Sequence, residues 1–177
     1  MSATAVTPVV LGLLYHGARS GYDIKTAVDG STRFFWAASY GQIYPELRRL
    51  EREGLIEGED SPNGARGRRV YHLTDAGRGA LNDWLLGHGV TIELRDESLL
   101  RLFFADALPR EQALGLLEAR KRGHEEYLHV LTAIAARPGK DPEFIDLVLR
   151  WGIAFNEWGA QWCEEQLEQL RAQTTKV

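Results

Sequence analysis

Apolar residues recur at helical spacing early in the chain, alternate with polar ones through two short stretches, and then return to helical spacing up to the C-terminal end. Thr7-Pro8 followed by Val9, Val10, Leu13 and Leu14 predicts a first helix, with threonine as cap, proline in the first turn and Gly17 as stop. Ser20 with Asp23 three residues on opens a second helix whose inward positions are Ile24, Ala27 and Val28 and whose end is Gly30. Phe34, Phe35 and Trp36 in the next stretch are expected to anchor the core. Ser39 and Gln42 form a Ser-x-x-Gln capping box, and Ile43, Leu47 and Leu50 give the third helix one buried stripe ending at Gly54. Residues 55–59 and 69–73 predict two strands joined by a Gly- and Arg-containing turn, and Thr74 starts a fourth helix carrying Leu81, Trp84, Leu85 and Leu86.

The third helix has chemistry on its outer side. At about 100° per residue, the face opposite the buried stripe carries Gly41, Arg48, Arg49 and Arg52, with Tyr40, Gln42 and Tyr44 toward its flanks. Hydrogen-bonding side chains in the first turns of a helix can enter the major groove and read base edges, which makes Tyr40, Gln42 and Tyr44 candidates for that role. Arg48 and the turn residues Arg66, Arg68 and Arg69 suit phosphates, because a guanidinium is a planar fork of donors. Lys25 on the second helix, with Tyr22 beside it, is placed at the adjoining backbone.

The second half predicts three helices: Arg95 to Leu108, whose Leu99, Leu100, Leu102, Phe103 and Phe104 suggest burial on several sides; Pro109 to about Ala136; and Asp141-Pro142-Glu143 to about Arg171. Phe144, Val148, Trp151, Phe155, Trp158 and Trp162 alternate steps of four and three, a heptad seam. Ala113, Leu117, Arg120, His124, Tyr127, Leu131 and Ile134 give the preceding helix the same rhythm, with Arg120 and His124 where apolar residues are expected. Two long helices are too narrow for a globular core, so the aromatic seams of two chains are expected to bury one another in a homodimer. The same residues also suit a small planar effector bound between the C-terminal helices and the N-terminal domain: Trp151, Trp158, Trp162 and Tyr127 for stacking, Arg120 for a carboxylate and His124 for a hydrogen bond.

Composition narrows function by exclusion. The 177 residues are 44% hydrophobic and 26% charged, ordinary for a globular protein, and no apolar run approaches the ~20 residues of a membrane span. No basic-then-apolar leader opens the chain, so the expected location is the cytoplasm. The formal charge is −4, yet residues 1–90 hold ten basic and ten acidic side chains, so the deficit lies in the second half and any nucleic-acid surface is a local cluster in the first. One cysteine, Cys163, and five scattered histidines give no metal-ligand set; no nucleophile elbow or phosphate loop is present. Neither an enzyme nor a cofactor is expected.

The run from Ser39-Tyr40-Gly41-Gln42-Ile43-Tyr44-Pro45-Glu46 to Gly54-Leu55-Ile56 resembles the recognition helix of the PadR family of bacterial regulators. Gly21-Tyr22-Asp23-Ile24 and Arg68-Arg69-Val70-Tyr71-His72-Leu73-Thr74-Asp75-Ala76-Gly77-Arg78 continue the resemblance through the second helix, wing and fourth helix. It implies a mainly α fold with a small β-wing: a winged helix-turn-helix DNA-binding domain over 1–88 and a helical dimerisation and effector domain over 89–177. The long C-terminal region is similar to the larger PadR subfamily, whose members dimerise through these helices and in some cases bind phenolic or other aromatic ligands. The expectation is a ligand-responsive homodimeric repressor on double-stranded DNA carrying an inverted-repeat operator. The competing expectation is a winged-helix protein-interaction module without operator-specific binding.

Overall fold

The structure is a computed structural model that describes residues 6–32, 36, 39–60, 69–87, 96–139 and 142–174, with Tyr40 and Thr174 described for the backbone alone. Packing divides the chain into two compact units, residues 1–91 and 92–177.

In the first unit the order is α1 (Thr7–Tyr15), α2 (Gly21–Gly30), α3 (Tyr40–Arg52), β1 (Ile56–Asp60), β2 (Arg69–Leu73) and α4 (Asp75–Leu86). Local signals explain these boundaries. Ser20 accepts the Asp23 amide at 3.2 Å while the Asp23 carboxylate accepts the Ser20 amide at 3.0 Å, closing a reciprocal cap on α2. Thr74 caps α4 by accepting the Gly77 amide, and its hydroxyl donates to the Gly54 carbonyl at 2.7 Å, tying the end of α3 to the start of α4. Gly77 is dictated by close approach, since a Cβ there would lie 2.0 Å from the Leu55 carbonyl oxygen. The strands pair antiparallel, with Ile56 opposite Leu73 and Asp60 opposite Arg69.

The core of this unit is Val10, Leu11, Leu14, Ile24, Val28, Ile43, Leu47, Leu50, Leu55, Ile56 and Leu81, joined by Val6 and Tyr71. Two expectations are corrected here. Thr7 does not cap α1: it is buried, and its hydroxyl donates to Glu46 Oε1 at 2.5 Å, because a threonine beneath α3 meets a buried carboxylate there. Trp36 is 40% exposed and is not a core anchor, while Phe34 and Phe35 lie outside the described residues.

The second unit contains α5 (Glu97–Phe103), a 3₁₀ turn at Ala105–Ala107, α6 (Arg110–Ala135) and α7 (Glu143–Thr174). Asp96 caps α5 by accepting the Leu99 amide at 3.1 Å. The burial expected around α5 is not found in the single chain: Leu100, Phe103 and Phe104 are exposed, and Leu102 alone of that cluster packs on the second core. Helices α6 and α7 pack along one another, and α7 turns an unexpected face to its neighbour. The contact is made by small residues, Gly152, Asn156, Gly159 and Cys163, running one position, or about 100°, away from the aromatic seam. A Cβ on Gly159 would lie 2.6 Å from the His124 ring, so only glycine admits the imidazole at this crossing. Of the aromatic seam, Phe155 meets His124 edge-on and Trp162 packs against Leu117, Cys163 and Leu167, while the other rings face away from α6. Phe144, Trp151 and Trp158 are 76%, 62% and 60% exposed.

Candidate nucleic-acid interface

Helix α3 sorts its three arginines by what lies behind them. Arg49 points back into the fold, where its guanidinium bonds Glu46 (Nε to Oε2 3.0 Å, Nη2 to Oε1 2.6 Å), Glu53 (2.6 Å) and the Thr7 hydroxyl (3.0 Å). Its hydrogen bond to Glu46 leads the effects that raise its pKa further above the ordinary arginine value, against the opposing effect of burial, so it is a fixed internal cation. Arg48 and Arg52 are exposed and make no hydrogen bond or ion pair among the described residues. Spaced four apart, they form a cationic stripe on the outer face of α3. Arg52 is absent from the phosphate contacts expected from sequence, although its spacing from Arg48 is the signal that points to it.

Gln42 is exposed at the start of the same helix. Its amide oxygen accepts the Ser39 backbone N–H at 3.0 Å and the Ser39 hydroxyl at 3.1 Å, so the expected cap forms. Tyr44 is 41% exposed and lies against the first turn of α2, since a Cβ on Gly21 would come within 2.7 Å of its ring. This contact sets α2 against α3, with Tyr22 64% exposed beside it. Tyr40 begins α3, but its side chain lies outside the described residues, as do Arg66 and Arg68.

Two expected phosphate contacts are engaged within the fold. Arg69 bonds Glu51 at 2.5 Å, Asp60 at 3.0 Å and the Gly58 carbonyl at 2.9 Å, bracing the wing against α3 because three acceptors converge at the start of β2. The Glu51 hydrogen bond is the largest influence raising its pKa. Lys25 pairs with Asp29 one turn along α2, and its side chain is 15% exposed.

The six residues expected to hold an effector all lie in the second unit, and they fall into two groups. Trp151 and Phe155 stack at 5.4 Å and 8°, and Phe155, Trp158 and Trp162 continue the ladder, whose last ring is partly buried against the second core. His124 touches that ladder edge-on at Phe155, 5.8 Å between centroids, but its Nδ1 bonds Asn156 Oδ1 at 3.0 Å and the residue is buried. Arg120 is directed elsewhere: it bonds Asp96 at 2.7 Å and the Ser98 hydroxyl, so an internal carboxylate holds the place expected for a ligand's. Burial alone would raise the Asp96 pKa, but hydrogen bonds from Ser98, Arg120 and the Leu99 amide outweigh it and bring it down to about 2. Tyr127 is 52% exposed.

Three helices, a two-stranded wing and a fourth helix, followed by a unit of long helices, make this a winged helix-turn-helix protein. The chain belongs to the PadR-like family of transcriptional regulators. Residues 10–83 match the Transcriptional regulator PadR-like family, and residues 94–171 match the Virulence activator alpha C-term family. The chain is 39% identical over 111 residues to the negative transcriptional regulator PadR of Bacillus subtilis, a match covering 62% of this chain and 61% of that one. The crystal structure of Bacillus subtilis PadR in complex with operator DNA superposes with a TM-score of 0.81 at 30% identity, covering 94% of this chain and 99% of that one. The same protein in complex with p-coumaric acid gives 0.76 at 30% identity over 95% and 99%. The PadR-like regulator BC1756 from Bacillus cereus gives 0.83 at 29% identity over 94% and 98%.

Proposed function

We propose that the protein is a homodimeric repressor that binds an inverted-repeat operator in double-stranded DNA through α3 and the wing. The carrying observation is that Arg48 and Arg52 stand exposed without an internal acid on the helix whose other arginine is fully engaged. Placed along a major groove, that stripe would meet phosphates while Gln42 and Tyr44 face base edges. Gln42 has its oxygen in the cap, so its amide nitrogen is the group offered to a base acceptor. The operator complex of Bacillus subtilis PadR supports this reading. In the second unit, the outward ladder of Phe144, Trp151, Phe155 and Trp158 supports a dimer through α7, since exposed aromatic stripes of this size mark an interaction surface.

The p-coumaric acid complex of the same relative supports a ligand-responsive form of this function, with Trp151, Trp158, Trp162 and Tyr127 as flat contacts. Arg120 would serve a ligand carboxylate only by leaving Asp96. The test is a titration of the full chain with duplexes from the intergenic DNA beside its own gene. A discrete, competitor-resistant complex, weakened about tenfold or more by Gln42→Ala and released by phenolic acids, is expected. Equal binding to operator and random duplexes would instead favour a protein-interaction module.

A further inference from the structure

The α1–α2 turn carries an arginine outside the α3 stripe and the wing tip. Arg19 is exposed, and two independent contacts place it between the elements proposed to touch DNA. Its carbonyl accepts the Tyr71 amide at 2.7 Å, stitching the turn to β2. Two residues on, Gly21 lies against the ring of Tyr44 from α3.

The Arg19 side chain is held by a histidine. Arg19 Nη1 lies 2.6 Å from His72 Nδ1, and His72 Nε2 lies 3.3 Å from Glu59 Oε1. A guanidinium only donates, so His72 Nδ1 must be the bare, accepting nitrogen and the ring proton must sit on Nε2, where it can donate to Glu59. A hydrogen bond at this contact fits one tautomer, the imidazole whose proton is on Nε2. A second proton would convert Nδ1 into a donor facing a donor and set a cation against a cation. Histidine is the side chain that ordinarily gains that proton between pH 5 and 8.

We propose that Arg19 is a further phosphate-contacting residue, latched to the wing by neutral His72 and released when His72 is protonated. The proposal rests on the winged-helix unit binding DNA through α3 and the wing. Around His72 the charged groups among the described residues are Arg19 from the turn, Glu59 from β1, and Glu57, its register partner across the two strands. Asp23 from α2 accepts the Arg19 backbone amide at 3.2 Å and the Ser20 amide at 3.0 Å, which keeps the turn in place. Protonation leaves His72 paired to Glu59 and frees Arg19. Protonation adds one positive charge and release leaves the Arg19 guanidinium free for a phosphate, so affinity for DNA of any sequence rises as pH falls.

The latch itself is read by ring-nitrogen NMR of the full chain at pH 8, where His72 is expected as the Nε2–H tautomer; a proton found on Nδ1 overturns the proposal. Its consequence is read by fluorescence anisotropy on a random-sequence duplex at constant ionic strength. Lowering the pH from 8 to 6 should tighten wild-type binding by about tenfold, the effect of one or two added cationic contacts. His72→Gln, whose amide can accept from Arg19 at every pH, should hold binding at its pH 8 level. Arg19→Ala should lose most of the gain. A wild-type pH response surviving in both variants overturns the proposal. Absence of binding to every duplex at every pH sinks the DNA-binding reading, and with it the role of Arg19, while the NMR result still tests the latch on its own.

Discussion

Arg48, Arg49 and Arg52 are indistinguishable in type and stand within five residues of one another, yet their surroundings differ. What separates them includes a residue distant in sequence: Thr7 and the buried Glu46 claim Arg49, and nothing comparable claims the other two among the described residues. Arg49→Ala is therefore expected to lower unfolding free energy by about 3 kcal/mol, because it strands the Glu46 carboxylate in the core. Arg48→Ala and Arg52→Ala should leave the denaturation midpoint in place and instead reduce the salt slope of DNA binding by about 0.9 for each phosphate no longer neutralised. Equal thermal destabilisation by all three would contradict this division. Helical periodicity placed all three arginines on the outer side, but it carries no information about a partner in α1, so the internal role of Arg49 was not legible. A second residue-scale outcome concerns Asp96. Its pKa is lower folded than unfolded, so its stabilisation is complete above the ordinary value of 3.8 and is lost as pH falls through about 2. In urea titrations the advantage of the wild type over Asp96→Asn should shrink across that window and vanish at its acid end. A constant advantage would mean that the pair with Arg120 does not persist in solution.

At the level of elements, the order of helices and strands was legible because its signals are local: the Ser20–Asp23 and Ser39–Gln42 caps, Thr74 before α4, and alternating residues in β1 and β2 all act within a few positions. The face that α7 turns to α6 was not. Large side chains dominate any reading of periodicity, so the aromatic seam stood out, while the packing face is made of residues selected for being small. The buried polar pair of α6 and α7, His124 and Asn156, becomes intelligible once that face is known. Asn156 donates its Nδ2 to the Gly152 carbonyl at 2.8 Å, which leaves its oxygen for His124. Gly159→Ala should therefore cost about 1–3 kcal/mol through overpacking against the imidazole. Adding His124→Ala should recover part of that loss despite removing a hydrogen bond, giving a double-mutant cycle with a favourable coupling. Simple additivity of the two changes would show that the crossing is looser than the structure has it.

For the whole molecule, net charge proved a poor guide and regional charge a useful one, since the acidic excess lies in the second half while the cationic stripe of α3 belongs to the first. The dimer remains a proposal read from one observation: of the aromatic seam seen in the sequence, Phe144, Trp151 and Trp158 are exposed in the single chain. Trp158→Glu is expected to shift the protein from dimer to monomer in sedimentation velocity while leaving the α6–α7 contact intact, because Trp158 belongs to the outward ladder and not to the small-residue face. A dimer of unchanged stability would locate the interface on another surface. The thin interior of the second unit reaches beyond assembly. Among the described residues, its buried apolar side chains are Leu117, Leu131, Cys163 and Leu167, few for two helices of 26 and 32 residues. In the proposed dimer, a newly made chain that has not met its twin would keep its exposed rings in water, which is what quality-control proteases select. Turnover would then depend on copy number: orphan chains would be cleared quickly, paired chains would persist, and the cell's stock of the protein would respond to gene dosage more steeply than in proportion.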